Sequence, residues 1–108
     1  MKVSVVIVAL LVCLGGGACR QQDIRTTTIQ CPQVKNALCV RLVTEVLAKT
    51  DGVLADSIRV EKGTATVTYD SMKVAIKNLE FSIAEIGFNA NDIPADAKAR
   101  DALPADCK

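Results

Sequence analysis

Between Cys31 and Val53, the residues Val43, Val46, Leu47 and Thr50 recur at three- and four-residue spacing, with Arg41, Glu45 and Lys49 on the opposite side. That spacing predicts an amphipathic helix packed on one face. Pro32 suits its first position, where a missing N–H costs nothing, and Gly52 suits a left-handed residue just past its end. Downstream, Ser57–Glu61 alternates, with Ile58 and Val60 on one side, and Thr64–Asp70 alternates again, with Ala65, Val67 and Tyr69 together. The turn Glu61-Lys62-Gly63 joins these runs into an antiparallel hairpin. Ile76, Leu79, Ile83 and Ile86 then repeat at helical spacing until Gly87. Ala75 offers no capping side chain, which leaves the first turn of this second helix undefined. Arg25–Gln30 (RTTTIQ) is rich in β-branched residues and reads as a first strand. Phe88–Asp92 reads as a short last one.

The order is β-α-β-β-α-β. Neither helix can bury its apolar face alone, and a four-stranded antiparallel sheet covered on one face by both helices does so. The expected class is therefore α+β, a ferredoxin-like βαββαβ sandwich over residues 24–92. A polar, proline-marked tail follows over residues 93–108. With 108 residues there is room for one small domain.

The first eighteen residues read as a signal peptide. Lys2 supplies a positive start, Val3–Leu14 is an apolar run short for a bilayer span, and Gly15–Ala18 are small. Cys19 follows at once. Two readings stay open: ordinary export, or a bacterial lipoprotein in which Cys19 is acylated and anchors the chain to the membrane. Ala18-Cys19 is similar to the lipoprotein signal, whereas Gly16 stands where a branched apolar residue is usual. Residues 19–23 form a tether. The expected location is the bacterial periplasm or cell envelope.

Composition narrows the chemistry. The formal net charge is +1, so a nucleic-acid partner is not expected. Histidine is absent, which removes His-based acid–base catalysis, Ser-His-Asp and Cys-His pairs, and His-ligated zinc. There is no glycine-rich phosphate loop and no convergent carboxylate pair, and an enzyme is not expected. Any soft metal must be held by sulfur.

Cys39-Val40, Val43, Leu47 and Asp51-Gly52-Val53 resemble the heavy-metal-associated domain family. So do Ile58-x-Val60, the Gly63 turn, Ala65-x-Val67-x-Tyr69-Asp70, Leu79, Ile83 and Ile86-Gly87-Phe88. The family includes copper chaperones, modules of copper-transporting ATPases and the periplasmic mercury-binding protein. The resemblance implies a soft metal ion (copper, mercury or zinc) and a metal transporter or metal donor and acceptor proteins as partners. It places the ligands in a C-x-x-C opening helix one. Here that motif is degenerate. If Cys39 is its second cysteine, Asn36 stands at the first; if Cys31 is its first, Val34 stands at the second. Asp56 also replaces a small apolar residue expected on strand two. The tail resembles one that ends in a cysteine pair on some bacterial members, and only Cys107 of that pair is present.

Cys31, Cys39 and Cys107 are thus the candidate metal ligands. If Cys31 and Cys39 were both helical, about 12 Å of rise would separate them, too far for one ion or one disulfide; only a non-helical start lets them meet. Cys31 at a helix N-terminus would have a lowered pKa. Cys39 also reads as a small buried hydrophobe. The tail, climbing the length of the sheet, could bring Cys107 to either Cys31 or Cys39, so both disulfides stay open. Two functions follow: an exported thiolate metal-binding domain, or a metal-free domain of the same fold serving as a structural or partner-binding element of the envelope.

Overall fold

The computed structural model describes residues 22–108. The signal peptide and Cys19 lie outside the described residues. Three strands form one antiparallel sheet, β1 (Ile24–Gln30), β2 (Arg59–Glu61) and β3 (Thr64–Asp70), in the order β1-β3-β2. Among the described residues three helices accompany them: α1 (Ala37–Ala48), α2 (Ile76–Glu85) and α3 (Ala97–Ala102), with 3-10 turns at Ala55–Ser57 and Ala105–Cys107.

The hairpin stands where alternation predicts it, with its first strand shortened to Arg59–Glu61 and Ser57 on the preceding 3-10 turn. Glu61 faces Thr64 across the two-residue loop, and Gly63 takes the positive φ of 80° that the loop demands. β1 pairs with β3 from Ile24↔Asp70 to Gln30↔Thr64. This register turns Ile29, Ala65, Val67 and Tyr69 to one face, where they join Cys39, Val43 and Leu47 of α1 and Leu79 and Ile83 of α2 in one buried cluster. Phe88 completes it. The opposite face is lined by threonines that pair across the strands, Thr26 Oγ1 with Thr68 Oγ1 at 2.9 Å and Thr28 Oγ1 with Thr66 Oγ1 at 3.2 Å. Asp56 lies on the exposed 3-10 turn before β2, not on the strand, so its charge stays in water.

Helix α1 does not begin at Pro32. Residues 31–34 make a turn tied to the hairpin loop: Cys31 N–H donates to the Gly63 carbonyl (2.9 Å), Gly63 N–H to the Val34 carbonyl (3.0 Å), and Val34 N–H to the Cys31 carbonyl (3.0 Å). Those bonds hold the chain out of a helix until Asn36. At the other end the helix closes at Ala48, and Gly52 (φ 93°) serves the following turn, where a Cβ would stand 2.9 Å from Val74 Cγ1.

The expected fourth strand is also missing: the sheet has three strands, not four. Over Phe88–Asp92 (FNAND) the chain reverses, with Ala90 and Ile93 exchanging both backbone bonds at 2.9 Å and Asn91 in the left-handed region at φ 50°. Asn and Asp are poor strand residues that favour such turns. What remains of the strand is one residue. Asn91 donates its N–H to the Gln30 carbonyl (2.8 Å), and its Oδ1 accepts the Gln30 N–H (2.8 Å). Its Nδ2 donates to Glu80 Oε2 at 2.7 Å, tying the turn to α2. Glu80 is buried, and Lys77 Nζ, 3.1 Å from its Oε1, balances the charge.

After this turn the tail runs along the helix layer and does not climb the sheet. Asp96 N–H donates to the Ala84 carbonyl of α2 (2.8 Å). Leu103 shares a groove with Leu42 and Val46 of α1 and with Ile86. The tail ends beside the N-terminus of α1.

Candidate functional site

Helix α1 opens on Asn36. Its extended backbone (φ −139°, ψ 178°) lets Oδ1 accept the N–H groups of Leu38 (3.0 Å) and Cys39 (3.1 Å), two of the donors a helix start leaves unpaired. This cap fixes the first turn and with it the sulfur of Cys39, whose Sγ lies 3.3 Å from the same Oδ1. The amide's other end is used as well. Nδ2 donates to the Asp106 carbonyl at 3.3 Å, and that carbonyl stands 3.7 Å from Cys39 Sγ. One side chain thereby clamps the start of α1 to the end of the chain.

The clamp brings Cys107 onto Cys39. The two form a disulfide across 68 residues with a Cα–Cα distance of 5.7 Å, and both are fully buried. Of the two pairings the sequence left open, this is the one present. The 3-10 turn at Ala105–Cys107, closed by Cys107 N–H on the Pro104 carbonyl (2.9 Å), aims the sulfur inward. The route depends on Gly87. Its φ of 107° ends α2, and a Cβ there would come within 2.8 Å of Arg100 N and of Leu103 Cδ1. A side chain at 87 would lift the tail away from α1.

Cys31 is placed elsewhere. It is a free thiol, fully buried in the core at the end of β1, with its S–H 3.7 Å from the Ile29 carbonyl. Burial pushes its pKa up to about 11. The expected lowering does not occur, because α1 begins six residues later and its N-terminus is not at Cys31. Among the described residues no three Cys, Asp or Glu side chains gather into a metal-holding group. The structure therefore unites two of the three candidate thiols and leaves the third in the apolar core.

The chemistry available depends on oxidation state. As a disulfide, the pair has no thiolate to offer. Reduced, it becomes two thiols at the positive end of α1, where backbone N–H groups favour negative charge. Holding one ion requires sulfurs no more than about 4.6 Å apart, twice a metal–sulfur bond of about 2.3 Å. A Cα separation of 5.7 Å is compatible with that span. The donor set, two sulfurs with no imidazole, fits a soft ion of low coordination number. Sequence reasoning missed Asn36 as the organiser of this site, although an Asn just before Ala-Leu-Cys-Val is itself a helix-start signal.

Residues 28–89 match the family model of the heavy-metal-associated domain. Two Haemophilus influenzae proteins, each described only as an uncharacterized protein, are 31% identical over 68 residues, which is 63% of this chain and 98% of theirs. Among solved structures, oxidized MerP from Ralstonia metallidurans CH34 superposes with a TM-score of 0.59 at 24% identity, covering 64% of this chain and 96% of that one. The putative copper-ion-binding protein from Bacillus anthracis gives 0.60 at 23% identity, covering 66% and 100%. At those identities the likeness is one of fold.

Proposed function

The chain belongs to the heavy-metal-associated domain family, and on that premise we propose that it binds one soft metal ion between Cys39 and Cys107 when their disulfide is reduced. The observation that carries the proposal is the seating of Cys107 against Cys39 by the tail. In the alignment that takes Cys39 as the second cysteine of the C-x-x-C, Asn36 holds the first position. A sulfur from the far end of the chain supplies what that asparagine lacks, and Asn36 keeps the helix start in place. Two thiolates suit monovalent copper or divalent mercury. Zinc is less well served, since it takes four ligands and no further cluster stands among the described residues. The role is binding and hand-over of the ion to or from a metal transporter or another carrier, with no catalytic step.

The same proposal places the protein outside the cytoplasm. The short apolar run, the small residues after it and Cys19 support export with a lipid anchor at Cys19. A disulfide is in keeping with an oxidising compartment. Labelling with a fatty-acid analogue, with Cys19→Ala as control, tests the anchor.

A second reading is favoured by the disulfide itself: a metal-free envelope module in which Cys39–Cys107 is a permanent staple. Titration of the reduced protein with copper(I) or mercury(II) against a competing chelator separates the two. One-to-one binding, weakened at least tenfold in Cys39→Ser and in Cys107→Ser and unchanged in Cys31→Ala, is expected of the metal site. Binding no tighter than that of an unrelated single-thiol protein leaves the staple.

A further inference from the structure

Replacing the fourth strand by a turn leaves one edge of the sheet open. Gln30 shows which main-chain groups lie along it, because its N–H and C=O both turn away from β3 to meet Asn91. In an antiparallel strand, residues two apart direct their backbone groups to the same side. Thr28, Thr26 and Ile24 therefore present N–H and C=O along the edge beyond Gln30, and among the described residues no strand pairs with them. Ordinary protections of an edge are missing from this stretch. It has no Lys, no Pro and no bulge, and its one charge, Arg25, is held by Asp23 at 2.8 Å. Its centre is three successive threonines, and Ile24, on the outer face, is 47% exposed.

We propose that this edge pairs with the same edge of a second copy, β1 on β1 about a two-fold axis at Thr26, to make one continuous sheet. The register follows from elimination. A closed two-fold pairing that uses these edge groups must set even-numbered residues opposite even-numbered ones. Centring it on Arg25 places the two arginines directly opposite each other, which like charges oppose. Centring it on Thr27 drives Ile24 of one copy against Gln30 of the other, whose edge groups Asn91 already occupies. Centring it on Thr26 avoids both. Thr26 then faces its own copy and Ile24 faces the second copy's Thr28, each pair exchanging both backbone bonds. Arg25 faces the second copy's Thr27, and exposed Ile24 gains a threonine methyl beside it. Each strand ends at its own Ile24, short of the position blocked by Asn91. The surface joined is small, so the association is weak and grows with local concentration.

The test uses the full chain with Cys13→Ser and Cys19→Ser, so that those positions supply no competing thiols. In a hydrogen-bonded antiparallel pair the facing Cα atoms are about 5.5 Å apart, within disulfide reach. Under oxidised glutathione, Thr26→Cys is expected to cross-link into dimers at least tenfold faster than Ile24→Cys or Thr28→Cys alone, while the Ile24→Cys/Thr28→Cys double variant cross-links readily. Sedimentation velocity of the otherwise native chain should show a dimer fraction rising with concentration. Thr26→Pro removes an outward N–H that no described residue uses, so circular dichroism should be unchanged and the dimer lost. Equal cross-linking at 24, 26 and 28 overturns the register. A monomer at every concentration, including one whose edge amides prove protected by the chain's own residues, overturns the pairing.

Discussion

Asn36 and Cys31 show how far one position's environment departs from its residue type. Asn36 caps α1 through Oδ1 and holds Asp106 through Nδ2. Asn36→Ala should cost about 1 kcal/mol, the usual worth of a helix cap, read from urea melts of the oxidised protein; Asn36→Asp keeps the acceptor and should recover most of that loss. Cys31 carries a different prediction. Its thiol is buried and its pKa raised to about 11, so native protein should resist alkylation at neutral pH while unfolded protein reacts at once. Below about 9 the thiol keeps its proton in both states and adds no pH dependence. From there towards about 11 the unfolded chain ionises first, and stability falls as pH rises. Cys31→Ala should flatten that alkaline slope in melts at stepped pH. Both residues were half legible. Asn before an apolar run is a cap signal, but Pro32 offered a rival start, and the bonds that decide between them run from Cys31 and Val34 to Gly63, far along the chain.

At the scale of elements, the sheet core and both helices follow from periodicity, because alternation and helical spacing report directly on which face is buried. The fourth strand does not. Phe88 and Ala90 are buried as a strand's inner residues would be, and that alternation is what made the segment look extended. Asn89, Asn91 and Asp92 carried the contrary signal, since they favour turns. The path of the tail was illegible locally, because it is set by a space and not by a motif. Gly87 leaves that space. Gly87→Ala should destabilise by more than the roughly 1–2 kcal/mol of a left-handed backbone penalty, since its Cβ would also meet the Arg100 backbone and Leu103. The check is a chemical melt together with disulfide formation in refolding protein. Slower Cys39–Cys107 closure is expected, with no change in the β2–β3 hairpin.

At the scale of the whole molecule, the tail is an appended strap whose far end is held to α1 by a disulfide. Helix α3 has six residues, too few to stand alone in water. The strap's other ties include the Asp96–Ala84 backbone bond, the Ala95 N–H on Asn89 Oδ1 at 2.8 Å, Leu103 in its groove and the Asn36–Asp106 bond. The disulfide closes a loop of 68 residues, for which the chain-entropy relation gives about 4 kcal/mol. Reduction should therefore lower stability by up to that amount and act first on the strap. Hydrogen exchange at Arg100, Leu103 and Cys107 should accelerate on reduction by much more than exchange at Val67 in the central strand. A metal ion joining the two sulfurs would do the disulfide's work. Adding copper(I) to the reduced protein is expected to restore protection at these three amides, and Cys107→Ser is expected to abolish the restoration. Metal that binds without slowing exchange in the strap would mean that Cys39 holds it without Cys107. The two-thiolate site would then fail while the fold stood.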